Sequence, residues 1–266
     1  MAKTNNAVAV QEDHTGAVAM FGGGEGGDAF GFDSSDLLVP RISVVAELSD
    51  FRKRNNAKFI EGAEVGDLVD TSTLEIVAKG YKGETFDFLP VWRSKEALRW
   101  KPNRGGLADK YLLGIGEQFS AYAEKEGLKV NDDYKLLYSD KSELVETWNY
   151  IGLDLSRGGM PVIVSFKKTG LKYGRQLNQM MQNARLPNGQ KSKVMYSHFY
   201  KIGSFEESKD NNNWASISVK KGDFIYNIDG GEDYAAQAKE LYDIVRSGAY
   251  RTDDTLDETS DAEIPF

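Results

Sequence analysis

The run Pro161-Val162-Ile163-Val164-Ser165-Phe166-Lys167, followed at once by the helical pattern of Thr169 to Ala184, decides the fold. A short apolar run rich in β-branched residues reads as a buried strand, here with charge at its end. In the next segment Tyr173, Leu177, Met180, Met181 and Ala184 recur at helical spacing, while Lys172, Arg175 and Arg185 stay polar, and Pro187-Asn188-Gly189 stops the helix. One helix set among short strands points to a small antiparallel barrel, not to an alternating α/β sheet.

The neighbouring segments extend that reading in both directions. Upstream, Leu144 to Leu155 has strand character. Thr85 to Trp92 is a clearer strand, with Phe86, Phe88 and Trp92 on one face, Leu89 and Val91 on the other, and Pro90 at an edge or bulge. Leu98-Arg99-Trp100 forms a separate short stretch, Asp67 to Gly80 a single strand, and Glu117 to Glu124 a short helix. Downstream, Lys193 to Phe205 alternates, placing Val194, Tyr196, His198, Tyr200 and Ile202 on one face. Trp214 to Val219 and Phe224 to Ile228 complete a meander, and an amphipathic helix from Asp233 to Ser247 is closed by Gly248.

The expected architecture is therefore mainly β with a few helices. Residues 1–36 form a flexible, glycine-rich acidic arm and residues 37–230 the barrel. Residues 231–250 hold the C-terminal helix, and 251–266 a disordered acidic tail. The glycine run Phe21-Gly22-Gly23-Gly24-Glu25-Gly26-Gly27-Asp28 is a linker, not a phosphate-binding loop, because no Gly-Lys-Ser/Thr follows it.

With 40% hydrophobic and 28% charged residues the 266-residue chain has the composition of a globular protein. It has no cysteine, which excludes disulfides, thiol nucleophiles and zinc ribbons. Its apolar runs are too short for a membrane span or a signal peptide, so a cytoplasmic location is expected.

The net charge of −8 hides a division along the chain. Residues 1–36 carry one Lys against six acids, a net −5. Residues 37–221 carry 29 Lys and Arg against 23 Asp and Glu, a net +6. Residues 222–266 carry three basic against twelve acidic residues, a net −9. Local potential, not the total, attracts a polyanion. From Leu155 to Phe205, 51 residues contain no carboxylate side chain but nine cations: Arg157, Lys167, Lys168, Lys172, Arg175, Arg185, Lys191, Lys193 and Lys201.

Aromatic residues interleave with these cations. Trp92-Arg93-Ser94-Lys95 continues to Arg99-Trp100-Lys101 and Arg104; Lys167 and Lys168 lead to Lys172-Tyr173-Gly174-Arg175; Lys193 precedes Tyr196, His198, Tyr200 and Lys201. Cations that track phosphates and flat rings that stack on unpaired bases are the two requirements for holding single-stranded nucleic acid, and stacking tolerates any sequence. The OB-fold is the commonest small barrel that does this. Each ring taken alone is equally readable as core.

Catalytic alternatives have little to build on. The chain has two histidines, His14 in the acidic arm and His198 on an aromatic strand. Asp67, Asp70 and Glu75, or Glu84 and Asp87, supply acids for a metal-dependent nuclease, but at no diagnostic spacing. No enzyme activity, cofactor or metal is expected.

The last residues, Asp261-Ala262-Glu263-Ile264-Pro265-Phe266, end an acidic run in an apolar tip. This resembles the C-terminus of bacterial and phage single-stranded DNA-binding proteins. The order Leu38-Val39-Pro40-Arg41, then Pro161-Val162-Ile163-Val164 and Thr169-Gly170-Leu171-Lys172, then Tyr196-Ser197-His198-Phe199-Tyr200, is similar to tailed-phage DNA-binding proteins. The resemblance implies an OB-fold-like protein that coats single-stranded DNA in phage replication or recombination, working in the host cytoplasm. It further implies that Asp261, Glu263, Ile264, Pro265 and Phe266 dock replication or recombination proteins. A phage assembly or host-takeover protein using the same tip stays open as an alternative.

Overall fold

The computed structural model describes residues 38–248 and 251–252, except 104, 132–133 and 210–211. The expected N-terminal arm and the docking tip lie outside the described residues.

A curled half-barrel sheet organises the chain. Its strands are β2 (Arg41–Val44), β3 (Leu68–Asp70), β4 (Glu75–Ala78), β5 (Phe86–Trp100), β8 (Glu143–Asp154), β9 (Met160–Lys167), β10 (His198–Lys209) and β11 (Asn212–Phe224). They run in the order β11-β10-β5-β8-β9-β2-β3-β4. Pairings are antiparallel except for β2 with β9. The protein is mainly β, with an OB-like curl. The Ser204 hydroxyl of β10 donates to the Gly66 carbonyl beside β3, drawing the two ends of the sheet together.

The two faces of this sheet bury different cores. The inner face carries Phe86, Phe88, Trp148, Tyr150, Val162, Val164, Phe166, Tyr200 and Ile202, and helix α2 (Leu171–Gln182) plugs it with Leu171 and Leu177. The outer face carries Leu89, Val91, Ile151, Leu153 and Ile163 beneath helix α3 (Gly231–Ser247), which contributes Ala238, Leu241 and Val245. Each large apolar side chain so buried contributes about 1.5–3 kcal/mol. Helix α3 has Glu232 and Asp233 in its first turn and Arg246 in its last, favourable against its dipole, and Gly248 at φ 78° caps it. Among the described residues no helix is long and apolar enough to cross a membrane.

At one end β5 and β8 extend past the barrel. There β6 (Leu107–Leu113) pairs with β5, β7 (Leu136–Leu137) pairs with β8, and helix α1 (Phe119–Lys125) packs on Ala97 and Leu144. At the other margin β1 (Leu38–Val39) pairs in parallel with β12 (Arg251–Thr252).

Several elements differ from the sequence reading. Residues 67–80 form the β3–β4 hairpin, because Asp70 accepts backbone hydrogen bonds from Ser72 and Thr73 and turns the chain. Residues 86–100 form one continuous strand, held by β8 along its length. A bulge between Pro90 and Trp92 reverses the alternation, so Trp92 joins the outer face with Leu89 instead of the Phe86 face. Val194 lies ahead of a tight turn at Met195–Ser197 that contains Tyr196, and β10 begins only at His198. The expected three-stranded meander is a two-stranded hairpin in which β11 runs unbroken to Phe224.

Candidate nucleic-acid interface

The strand ends at Arg93–Trp100, Glu143–Trp148 and Ser165–Lys167 bring Arg93, Lys95, Arg99 and Lys167 to one end of the sheet. Alternation along β5 divides its side chains between the two faces.

On the inner side, Arg93 and Lys95 of β5 and Arg175 of α2 converge on Trp148. Their charged atoms lie 5.7, 4.7 and 5.7 Å from its ring centroid. Trp148 itself is only 7% exposed, beneath Gly174 of α2, and its Nε1 donates to Glu146 at 2.7 Å. A Cβ on residue 174 would stand 3.1 Å from the indole, so the glycine permits the close approach of the helix. The indole is a platform for cations, not a free stacking surface. Arg93 and Arg175 are exposed.

On the outer side, the Lys167 ammonium lies 5.5 Å from the half-buried Trp100 ring, and Lys101 follows, exposed. Toward the barrel the same face becomes polar. Glu96 stands opposite Thr147 and Thr147 opposite Lys167; Ser94 stands opposite Asn149 and Asn149 opposite Ser165. The Arg41 guanidinium enters from β2 and donates to Asn149 Oδ1 at 3.0 Å and to Ser165 Oγ at 2.6 Å. Nothing local to Arg41, Thr147 or Asn149 in the sequence showed that the Arg41 side chain reaches β8 here.

Other expected contact residues are engaged in the fold. Arg157 bridges Asp154 at 2.7 Å and Asp70 at 2.8 Å, two carboxylates with no exposed surface. Burial pushes the Asp154 carboxyl up, against the opposing pull of Arg157. Lys172 and Tyr173 both bond Glu207, which also accepts from Trp214 and Ser216. Burial alone would raise Glu207, but Lys172, Ser216 and Tyr173 hold it down to about 2. Lys172 in the first turn of α2 opposes the helix dipole, and Glu207 offsets it. Arg99 is tied to Asp140 and Ser142 and lies over Tyr138; Lys168 pairs with Glu143 at 3.1 Å, and Lys201 with Asp87 at 2.8 Å.

The aromatic residues divide in the same way. Trp92 packs against Tyr242 of α3 at 5.6 Å, and Tyr196 lies 6.4 Å from the same ring. Tyr200 is 1% exposed in the inner core, and burial pushes its hydroxyl up to about 12. His198 is buried against Ser197 and Phe224; burial, with Lys221 nearby, lowers its pKa. Tyr200 and His198 are therefore withdrawn from any open base-binding surface. Lys193 is exposed on the loop before β10, and Arg104 lies outside the described residues.

Of the carboxylates weighed for a nuclease, Asp67 is held by Lys79 and the Glu64 amide, Asp70 by Arg157, Glu84 by the Lys79 amide and Asp87 by Lys201, while the exposed Glu75 accepts from the Thr73 hydroxyl. Among the described residues no three His, Asp or Glu side chains converge to hold a metal ion.

A family model described as "Pam3 phage gp34-like protein" matches residues 10–251. No curated protein and no solved structure matches the chain.

Proposed function

The chain belongs to the Pam3 phage gp34-like protein family, and from that premise we propose that it binds single-stranded DNA with little regard to sequence during phage replication or recombination. One observation carries this reading. Residues far apart in the chain gather cations on both sides of the β5–β8–β9 strand ends: Arg93, Lys95 and Arg175 around Trp148, and Lys167 over Trp100. Exposed guanidinium groups suit phosphates, and the half-buried Trp100 offers a ring for a base. The reading is non-enzymatic: the site holds a strand and does no chemistry on it.

The C-terminal segment completes the reading. Residues 253–266 follow Thr252, which pairs with Val39, two residues before the buried Arg41. Fourteen residues of random coil would reach on the order of 20 Å. Its carboxylates are then a screened competitor for the same cations, displaced by DNA, after which the Ile264-Pro265-Phe266 tip is free to recruit a partner protein.

A gel shift with equal lengths of single-stranded and duplex DNA tests the reading. Preferential retention of the single strand supports it, and equal or absent retention refutes it.

A second reading, a phage interaction or assembly protein, draws on Leu112 (58% exposed) and Ile115 (fully exposed) at the tip of the β6–α1 arm. It requires that removing these two side chains abolish a protein contact while DNA binding is absent from the start.

A further inference from the structure

Three polar atoms that the fold buries without hydrogen-bond partners share one patch of the outer face: Oε2 of Glu96, Oγ1 of Thr147 and Nδ2 of Asn149. These residues are 3%, 0% and 2% exposed. Leaving such a group unpaired is costly, so three together on one face point to a polar ligand that pairs them.

Their neighbours fix what each atom presents. Lys110 Nζ lies 3.3 Å from Glu96 Oε1 and leaves Oε2 as a hydrogen-bond acceptor. Asn149 Oδ1 accepts from Arg41 at 3.0 Å and from the Ser165 hydroxyl at 2.7 Å. The amide is therefore held in one orientation, and Nδ2 presents two donors. The Thr147 hydroxyl, between them, donates or accepts. Glu96 and Thr147 are cross-strand partners, and Asn149 is the next residue of β8 on the same face. Such neighbours stand about 5 and 7 Å apart, the scale of one base edge.

We infer that this patch reads the Watson–Crick edge of one unpaired base and discriminates against thymine. Cytosine and adenine each carry an amino group at one flank of that edge, which donates to Glu96, and a ring nitrogen, which accepts from Thr147. Cytosine adds a carbonyl that accepts from Asn149. Guanine fits turned around, its amino group to Glu96 and its carbonyl to Asn149. Thymine carries a carbonyl oxygen at both flanks, so in either orientation an oxygen faces the Glu96 carboxylate. Lys110 and Lys167 are rooted on either side of the Glu96–Thr147 pair. The inference rests on the proposed single-strand binding and refines it: a strand-tolerant groove with one position that disfavours thymine.

The test compares oligonucleotides of thymidine and of 5-methyl-2′-deoxycytidine, about 20 nucleotides long, enough to cover one OB-type site. The two differ only where the patch reads. Wild-type protein at slightly alkaline pH is expected to bind the methylcytosine strand about tenfold more tightly, the discrimination of one base-edge contact. Glu96→Gln, whose amide can turn a donor toward a carbonyl, raises affinity for the thymidine strand and brings the ratio close to one. Thr147→Val, which keeps shape and removes the hydroxyl, weakens the methylcytosine strand alone and serves if Glu96→Gln does not fold. Equal wild-type affinity for both strands, with binding intact, overturns the inference and leaves the proposed function standing. A wild-type preference unchanged in both variants also overturns it. Failure to bind either strand overturns both.

Discussion

Nη1 of Arg41 stands 3.0 Å from Oδ1 of Asn149, joining β2 to the middle of β8 across 108 residues of sequence. Both residues are almost fully buried, and the same guanidinium nitrogen reaches Ser165 on β9. A buried cation is tolerated only when its hydrogen bonds are made, and here they lock three strands in register.

Arg41→Met should therefore be costly although the stem is apolar enough to fill part of the space. Removing the guanidinium takes one of two donors from Asn149 Oδ1 and the donor from Ser165 Oγ inside the protein, about 2–4 kcal/mol. Chemical denaturation of the variant should show a lower midpoint with an unchanged slope.

Glu207 sets a pH dependence. Its carboxyl, ordinarily near 4.5, is held at about 2 in the fold, although burial alone would raise it, by Lys172, Ser216 and Tyr173. A depressed carboxyl stabilises the fold above its unfolded pKa, and that stability is lost as pH falls through the folded one. Wild-type protein should thus melt higher than Glu207→Gln above pH 5, by about 1–3 kcal/mol in stability. The gap should close between about pH 4.5 and 2. Melting curves across that range check it.

Tyr200 separates core from site. As a buried inner-face residue, Tyr200→Phe should leave DNA affinity unchanged, whereas Tyr200→Ala should cost about 3–5 kcal/mol of stability. Loss of affinity in a fully folded Tyr200→Phe protein would return this ring to the binding surface.

The barrel was legible because its longest signals are local: the β-branched run at 162–164, the helical spacing of 171–182 and the amphipathic 231–247 helix. The site was less legible, because charge and aromaticity do not say which face of a strand a residue occupies. One bulge at Pro90–Trp92 moved Trp92 under α3 and left Arg93 and Lys95 on the Trp148 side. The carboxylate-free run from 155 to 205 was a real feature of the sequence, yet Arg157, Lys168, Lys172 and Lys201 find their counter-charges in Asp70, Asp154, Glu143, Glu207 and Asp87, outside or at the margin of that run. Apart from Asp154, three residues before Arg157, these partners are distant in sequence and leave no local trace. The buried Glu96, Thr147 and Asn149 were hidden for the same reason: a polar residue in a strand reads as solvent-facing until the cover over that face is known.

Arg93 and Arg175 give a quantitative handle on phosphate contact. Both are exposed, so Arg93→Ala and Arg175→Ala should leave the melting temperature nearly unchanged. Each should flatten the dependence of log affinity on log salt by about 0.7, one phosphate contact on a single strand.

Deleting residues 257–266 removes the acidic competitor and the apolar tip together. DNA affinity should hold or rise, most visibly at low salt, while tail-dependent capture of a partner protein is lost. A large fall in affinity would show that the tail aids binding.

The central claim is tested most directly by tryptophan fluorescence during titration with a single-stranded oligonucleotide across a salt series. Trp100, beside Lys167, is the reporter. Quenching that salt reverses, with a slope near −3.5 for about five neutralised phosphates and weaker binding to duplex of equal length, is the expected result. A slope near zero, or duplex bound as tightly as the single strand, would contradict it.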